Sequence, residues 1–133
     1  IEFGYQHARR TRTAWEAYNE RRGVCRDYAH LALTLCRCLN IPARYVSGYA
    51  AGLEPMDFHA CFEAYIGGQW YLFDPTDQLA ADRIAVISRG RDAANAPLTT
   101  IFGRVINGAV KVRCDFTPPG GAPEAEVSAV PAA

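Results

Sequence analysis

Two β-rich runs, residues 59–66 and 69–74, are separated by nothing except Gly67-Gly68. Two consecutive glycines accept the positive φ angles that a tight two-residue turn demands, so this stretch predicts a β-hairpin. Such a turn also sets the register: Ile66 faces Gln69, Cys61 lies opposite Asp74, and His59 lies opposite Thr76. His59 and Asp74 become diagonal neighbours on one side of the sheet, with backbones roughly 7–8 Å apart, a gap that imidazole and carboxylate can bridge. A slip of one residue would send them to opposite sides.

The rest of the chain predicts helices ahead of the hairpin and further strands around it. From Thr13 to Arg22, Ala14, Trp15, Ala17 and Tyr18 sit among charges in an amphipathic pattern, and Thr13 with Glu16 has the spacing of a capping box. Gly23 breaks this helix. A second opens at about Val24 and runs to Leu39, where Asn40 and Ile41-Pro42 stop it. Its apolar positions, Cys25, Tyr28, Ala29, Ala32, Leu35, Cys36 and Leu39, follow helical spacing, and Leu31, Leu33 and Cys38 widen the stripe. This predicts a helix buried on most of its circumference, with Arg26, His30 and Arg37 as its wet edge. Residues 43–50 read as a strand and 51–57 as a loop. Residues 84–88 and 105–115 are further strand candidates, the second with a turn at Asn107-Gly108. Residues 1–10 show no clear period, and 89–104 are less readable. The expected organisation is an α+β core over 1–116 and a Pro/Gly/Ala-rich tail over 117–133. The chain opens at Ile1-Glu2-Phe3 without a methionine, which suggests a domain from a longer protein.

Composition excludes several function classes. The chain has 133 residues, half of them apolar, enough for one core. Its 14 basic and 14 acidic residues cancel, so neither nucleic acid nor an anionic membrane is an expected partner. No apolar run approaches the roughly 20 residues of a membrane span. Five cysteines, an odd number without framework spacing, argue against a disulfide-stapled secreted fold and for a reducing, cytoplasmic setting. No cofactor or metal is expected. Cys36 and Cys38 point about 200° apart on a helix, His7 and His30 lack partners at ligand spacing, and there is no acidic calcium loop.

The chemistry centres on Cys25. In the first turn of a helix it meets unpaired backbone N–H groups and the positive end of the macrodipole, both of which stabilise a thiolate. Taken singly, each candidate has a bland reading: Cys25 as a small core residue, His59 as a strand cap, Asp74 before Pro75 as a turn starter. Their conjunction points elsewhere. A helix-start cysteine, a strand histidine and an aspartate on the same side make a nucleophile, a base and an orienting acid. Glu63 shares the His59 side, and Arg44 on the neighbouring strand is its expected structural partner. Tyr28 and Trp70 are assigned to the core.

Four blocks of this sequence resemble the core of microbial transglutaminase-like proteins: Gly23-Val24-Cys25-Arg26-Asp27-Tyr28-Ala29-His30, Ile41-Pro42-Ala43-Arg44-Tyr45-Val46-Ser47-Gly48-Tyr49, Asp57-Phe58-His59-Ala60 and Phe73-Asp74-Pro75-Thr76. The resemblance covers roughly residues 11 to 116. It implies a papain-like α+β fold in which the cysteine-bearing helix packs on an antiparallel sheet. It also implies Cys25 as nucleophile, His59 as general base and acid, and Asp74 as orienting carboxylate. The activity implied is amide hydrolysis or acyl transfer on a protein or peptide substrate through a thioester, with hydrolysis slightly favoured. Protein cross-linking and a non-catalytic binding module are the alternatives. Two departures stand out: relatives often carry a tryptophan where this chain has Cys61, and they commonly have an N-terminal β-rich domain ahead of the core.

Overall fold

The computed structural model describes residues 1–106 and 108–118. In chain order these form β1 (Glu2–Phe3), α1 (Ala14–Glu20), β2 (Arg22–Gly23), α2 (Cys25–Cys38), β3 (Ala43–Ala50), β4 (Phe58–Ile66), β5 (Gln69–Phe73) and β6 (Ile84–Gly90). Short 3-10 turns lie at Tyr5–His7 and Ala81–Arg83. Two helices thus accompany an antiparallel sheet of order β5-β4-β3-β6, the expected α+β mixture.

α1 begins at the capping box that the sequence predicts. Thr13 Oγ1 accepts from the Glu16 N–H at 3.2 Å, and Glu16 Oε2 accepts from the Thr13 N–H at 2.8 Å. A helix of seven residues is too short to persist without such help. Replacing Thr13 with alanine is expected to cost about 1 kcal/mol in chemical denaturation, while serine retains most of the cap.

Gly23 leads directly into α2, and the helix folds back over it. A β-carbon there would lie 2.7 Å from Cβ of Asp27, so no larger residue fits without movement. β2 also pairs in parallel with β1, Glu2 beside Arg22 and Phe3 beside Gly23. This pairing draws residues 1–10, which carry no periodic signal, alongside the segment that precedes the cysteine.

α2 contributes Ala29 and Leu33 to a cluster with Tyr45, Ala60 and Ala96. Alanines on both helix and sheet let the two approach closely, and burying Leu33 stabilises the fold by about 1.5–3 kcal/mol. The expectation that most of the helix circumference is buried is not met. Leu35 is 53% exposed, Leu39 is 72% exposed, and Cys38 is exposed. The sheet and α1 cover two sides of α2, and no described element covers the Leu35–Leu39 side.

The β4–β5 hairpin has the predicted register, with Ile66 opposite Gln69 and Phe62 opposite Phe73. Gly67 and Gly68 take φ values of 59° and 92°. The ladder ends at Phe73, one residue earlier than expected, and β6 runs two residues past the predicted end at Ser88. The strand expected over 105–115 requires correction. Its described residues form no strand, because an apolar alternation becomes a strand only where a sheet edge takes up its hydrogen bonds. Nearby, Phe116 instead packs under the Arg83 guanidinium at 3.7 Å. The predicted turn rests on Asn107, outside the described residues, as does the tail from residue 119 onward. No helix among the described residues is long and apolar enough to cross a membrane.

Candidate active site

The start of α2 is held from below by a buried ion pair. Asp27, 1% exposed, accepts from the Val24 N–H at 3.0 Å and from Arg12 Nη1 at 2.9 Å. The first contact is the reciprocal half of a capping box, since valine offers no side-chain acceptor of its own. Arg12 also bonds Glu20, so one guanidinium ties the loop before α1, α1 itself and the first turn of α2 together. Cys25 is the first residue of the helix so anchored and is partly exposed, packed at the margin of the core cluster.

Along β4, His59, Cys61 and Glu63 alternate with Ala60 and Phe62 and therefore share one side of the strand. His59 is almost fully buried. Its Nε2 lies 2.9 Å from Asp74 Oδ1, so the diagonal relation expected from the hairpin register is present as a hydrogen bond. Past the end of β5 the chain turns back around the Asp74 carboxylate. Oδ1 accepts from Thr76 N–H and Oγ1–H, and Oδ2 accepts from the N–H groups of Gln78 and Leu79. Those donors leave the carboxylate fixed in position.

The electrostatics follow from this packing. Burial disfavours the charged imidazole, but hydrogen bonds with Asp74, Cys25 and Cys61 outweigh it and push the His59 pKa up to about 12. Burial likewise raises the Asp74 carboxyl, yet His59 and Thr76 hold it down at about 2. The Cys61 thiol is pushed up by burial, with the His59 contact opposing. Perturbed groups gathered in this way mark a candidate functional site.

Donor atoms of His59, Cys61 and Asp74 lie within 4.8 Å of one another, a set that could in principle hold a metal ion. His59 Nε2 and Asp74 Oδ1 are already hydrogen-bonded to each other at 2.9 Å, and both carboxylate oxygens are engaged. A metal would have to break that hydrogen bond and those contacts.

Glu63 has the Arg44 partner expected from the sequence, and Arg89 adds two further bonds at 3.0 Å. Burial opposes the Glu63 charge, and the two arginines more than offset it, lowering its pKa. Arg44 also lies 4.1 Å over the Trp70 ring, which is 40% exposed and not a core residue as expected. Tyr28 is half-buried, and its hydroxyl donates to the Ile1 carbonyl.

Tyr5 is the neighbour that sequence reasoning missed. Burial raises its phenol pKa, Asp57 and Cys25 raise it further, and His59 opposes, so the hydroxyl lies within the field of the cluster. No local signal marks it. Tyr5 follows β1, whose pairing with β2 brings this segment alongside the approach to Cys25.

The family model of the transglutaminase-like superfamily matches residues 1–75, a span that contains Cys25, His59 and Asp74. The chain belongs to the transglutaminase-like superfamily. A Mycobacterium leprae protein is 37% identical over 100 residues, covering 65% of this chain and 34% of its own length. A Mycobacterium tuberculosis protein is 35% identical over 115 residues, covering 74% of this chain and 37% of its own. A crystal structure from Cytophaga hutchinsonii, described as a candidate cysteine protease, matches with a TM-score of 0.74 and 40% identity over 91% of this chain and 45% of that one. This transglutaminase-like chain thus spans about a third of the length of the curated relatives it matches. Its α+β architecture is the papain-like one of the superfamily.

Proposed function

We propose that the chain is a cysteine-dependent amide hydrolase in which Cys25, His59 and Asp74 act as nucleophile, proton carrier and orienting carboxylate. The observation that carries this reading is the grip on His59: one ring nitrogen is bonded to a fixed Asp74, and the Cys25 thiol is within reach of the imidazole. Superfamily membership and the likeness to a candidate cysteine protease support it. Cys25 sulfur attacks the carbonyl carbon of a peptide or glutamine side-chain amide, and the carbonyl electron pair moves to oxygen. Ahead of the Asp27 N–H, which donates to the Val24 carbonyl, the N–H groups of Cys25 and Arg26 are the donors we assign to that oxyanion. His59, charged in the resting state, gives its proton to the departing amine, leaving a thioester on Cys25. The neutral imidazole then takes a proton from the acceptor that attacks the thioester.

Water is the default acceptor because it is always abundant, which favours hydrolysis over transfer to a lysine amine. The test is intact-protein mass spectrometry during turnover of a glutamine-containing peptide, with and without added cadaverine. A hydroxylamine-sensitive adduct on Cys25 and free glutamate-containing product are expected. Cadaverine-linked product in preference to hydrolysis would move the assignment to a cross-linking transferase. Absence of any adduct across a peptide library would sink the enzymatic reading.

A further inference from the structure

The wet edge of α2 is not a plain solvated face. Arg26, His30 and Arg37 line an open cavity of about 610 Å³, together with Arg10 and Arg12 from the segment before α1 and Asp92 from the loop after β6. That volume is typical of small-molecule sites. The cavity concentrates positive charge in a chain whose net charge is zero.

Arg12 is answered by Asp27 and Glu20. Arg37 donates to the carbonyls of Ala43 and Arg91, which hold the side chain without cancelling its charge. Arg26 donates to the Arg9 carbonyl and reaches Asp27, already shared with Arg12, at 3.4 Å. Its Nε is buried and has no hydrogen-bond partner among the described residues. Arg10 is exposed and has no side-chain partner among the described residues. His30 Nε2 accepts from the Ala93 N–H at 3.2 Å, which leaves Nδ1 to carry a proton and donate. Asp92 is the acidic group of the lining, and its carboxylate is taken up by N–H groups of Ala94 and Asn95 and by Arg91.

What remains is a cavity rich in donors, in which the Arg10 and Arg37 guanidinium groups have no carboxylate partner among the described residues and Arg26 shares Asp27 with Arg12. Such a surface recognises acceptor-rich anions, because arginine forks match the oxygens of phosphate and carboxylate groups. We propose that this cavity binds a small, multiply charged oxyanion bearing phosphate or carboxylate groups, at a site independent of the amide chemistry assigned to Cys25. The ligand spans Arg10 and Arg37, and its oxygens accept from His30 Nδ1.

The test is calorimetry with pyrophosphate and with citrate at constant ionic strength, alongside NMR of the backbone amides. Saturable one-to-one binding of either probe is expected, with the largest shifts at His30 and Ala93. Arg10→Gln, a change at an exposed position, is expected to weaken it about tenfold. The alkylation rate of Cys25 should not change in that variant. Binding of pyrophosphate alone would identify phosphate as the recognised group, and binding of citrate alone would identify carboxylate. The proposal is overturned if neither probe binds more tightly than about 1 mM. It is equally overturned if the shifts map elsewhere, or if Arg10→Gln binds as well as the parent.

Discussion

Replacing His59 with alanine is expected to lower amide turnover by about 10⁴-fold and to slow iodoacetamide alkylation of Cys25 selectively among the five cysteines. The imidazole is the one group that can both deliver a proton to the leaving amine and take one from the acceptor. Its removal disables both halves of the reaction. The fold should survive at reduced stability, because the same buried pair is broken but Asp74 keeps four donors from Thr76, Gln78 and Leu79. Peptide mapping of alkylated protein, combined with circular dichroism, separates lost chemistry from lost structure. Unchanged Cys25 labelling in a folded variant would break the link between thiol and imidazole. The proposed mechanism would fall with it.

Asp74→Asn is expected to act on both activity and stability. The amide cannot hold His59 as an imidazolium or fix its tautomer, which predicts a drop in turnover of about 10³–10⁴-fold. Both side chains are 1% exposed, so the loss of one buried partner is expected to cost about 3–5 kcal/mol in urea unfolding. The signs of the pH dependence follow from the shifts. Asp74 is depressed to about 2 from 3.8, so its contribution is present above pH 3.8 and is lost as pH falls toward 2. His59 is raised to about 12 from 6.5, so its contribution is complete below pH 6.5 and is lost progressively as pH rises toward 12. Parent stability should therefore be greatest between about pH 4 and 6.5 for this pair and decline above, whereas Asp74→Asn should show a much shallower decline. Parallel slopes for the two proteins above pH 7 would remove His59–Asp74 as the origin of the dependence.

Two features of this fold were legible because they are local. Thr13 and Glu16 need only their spacing to cap α1, and Gly67-Gly68 sets a register that carries His59 to Asp74 without reference to the rest of the chain. The position of Cys25 at a helix start was legible for the same reason, since Gly23 and the apolar period beyond it mark the boundary. Helical period, by contrast, could not say how much of α2 has neighbours. Leu35 and Leu39 fit the stripe as well as Leu33 does, yet only Leu33 meets the sheet. An alternating pattern likewise could not tell whether residues 105–115 find an edge to pair with.

The sequence by itself determined the α+β class, the hairpin register and the order of the three candidate catalytic residues, because turn chemistry and capping act over a few bonds. Tertiary structure alone decided that Tyr5 lies in the electrostatic field of the cluster, that Arg12 anchors Asp27 under the cysteine, that Arg89 joins Arg44 on Glu63, and that Arg10, Arg26 and Arg37 share one cavity. Each of these joins elements far apart in the chain, and only close packing of the whole core sets which long side chains end up facing one another.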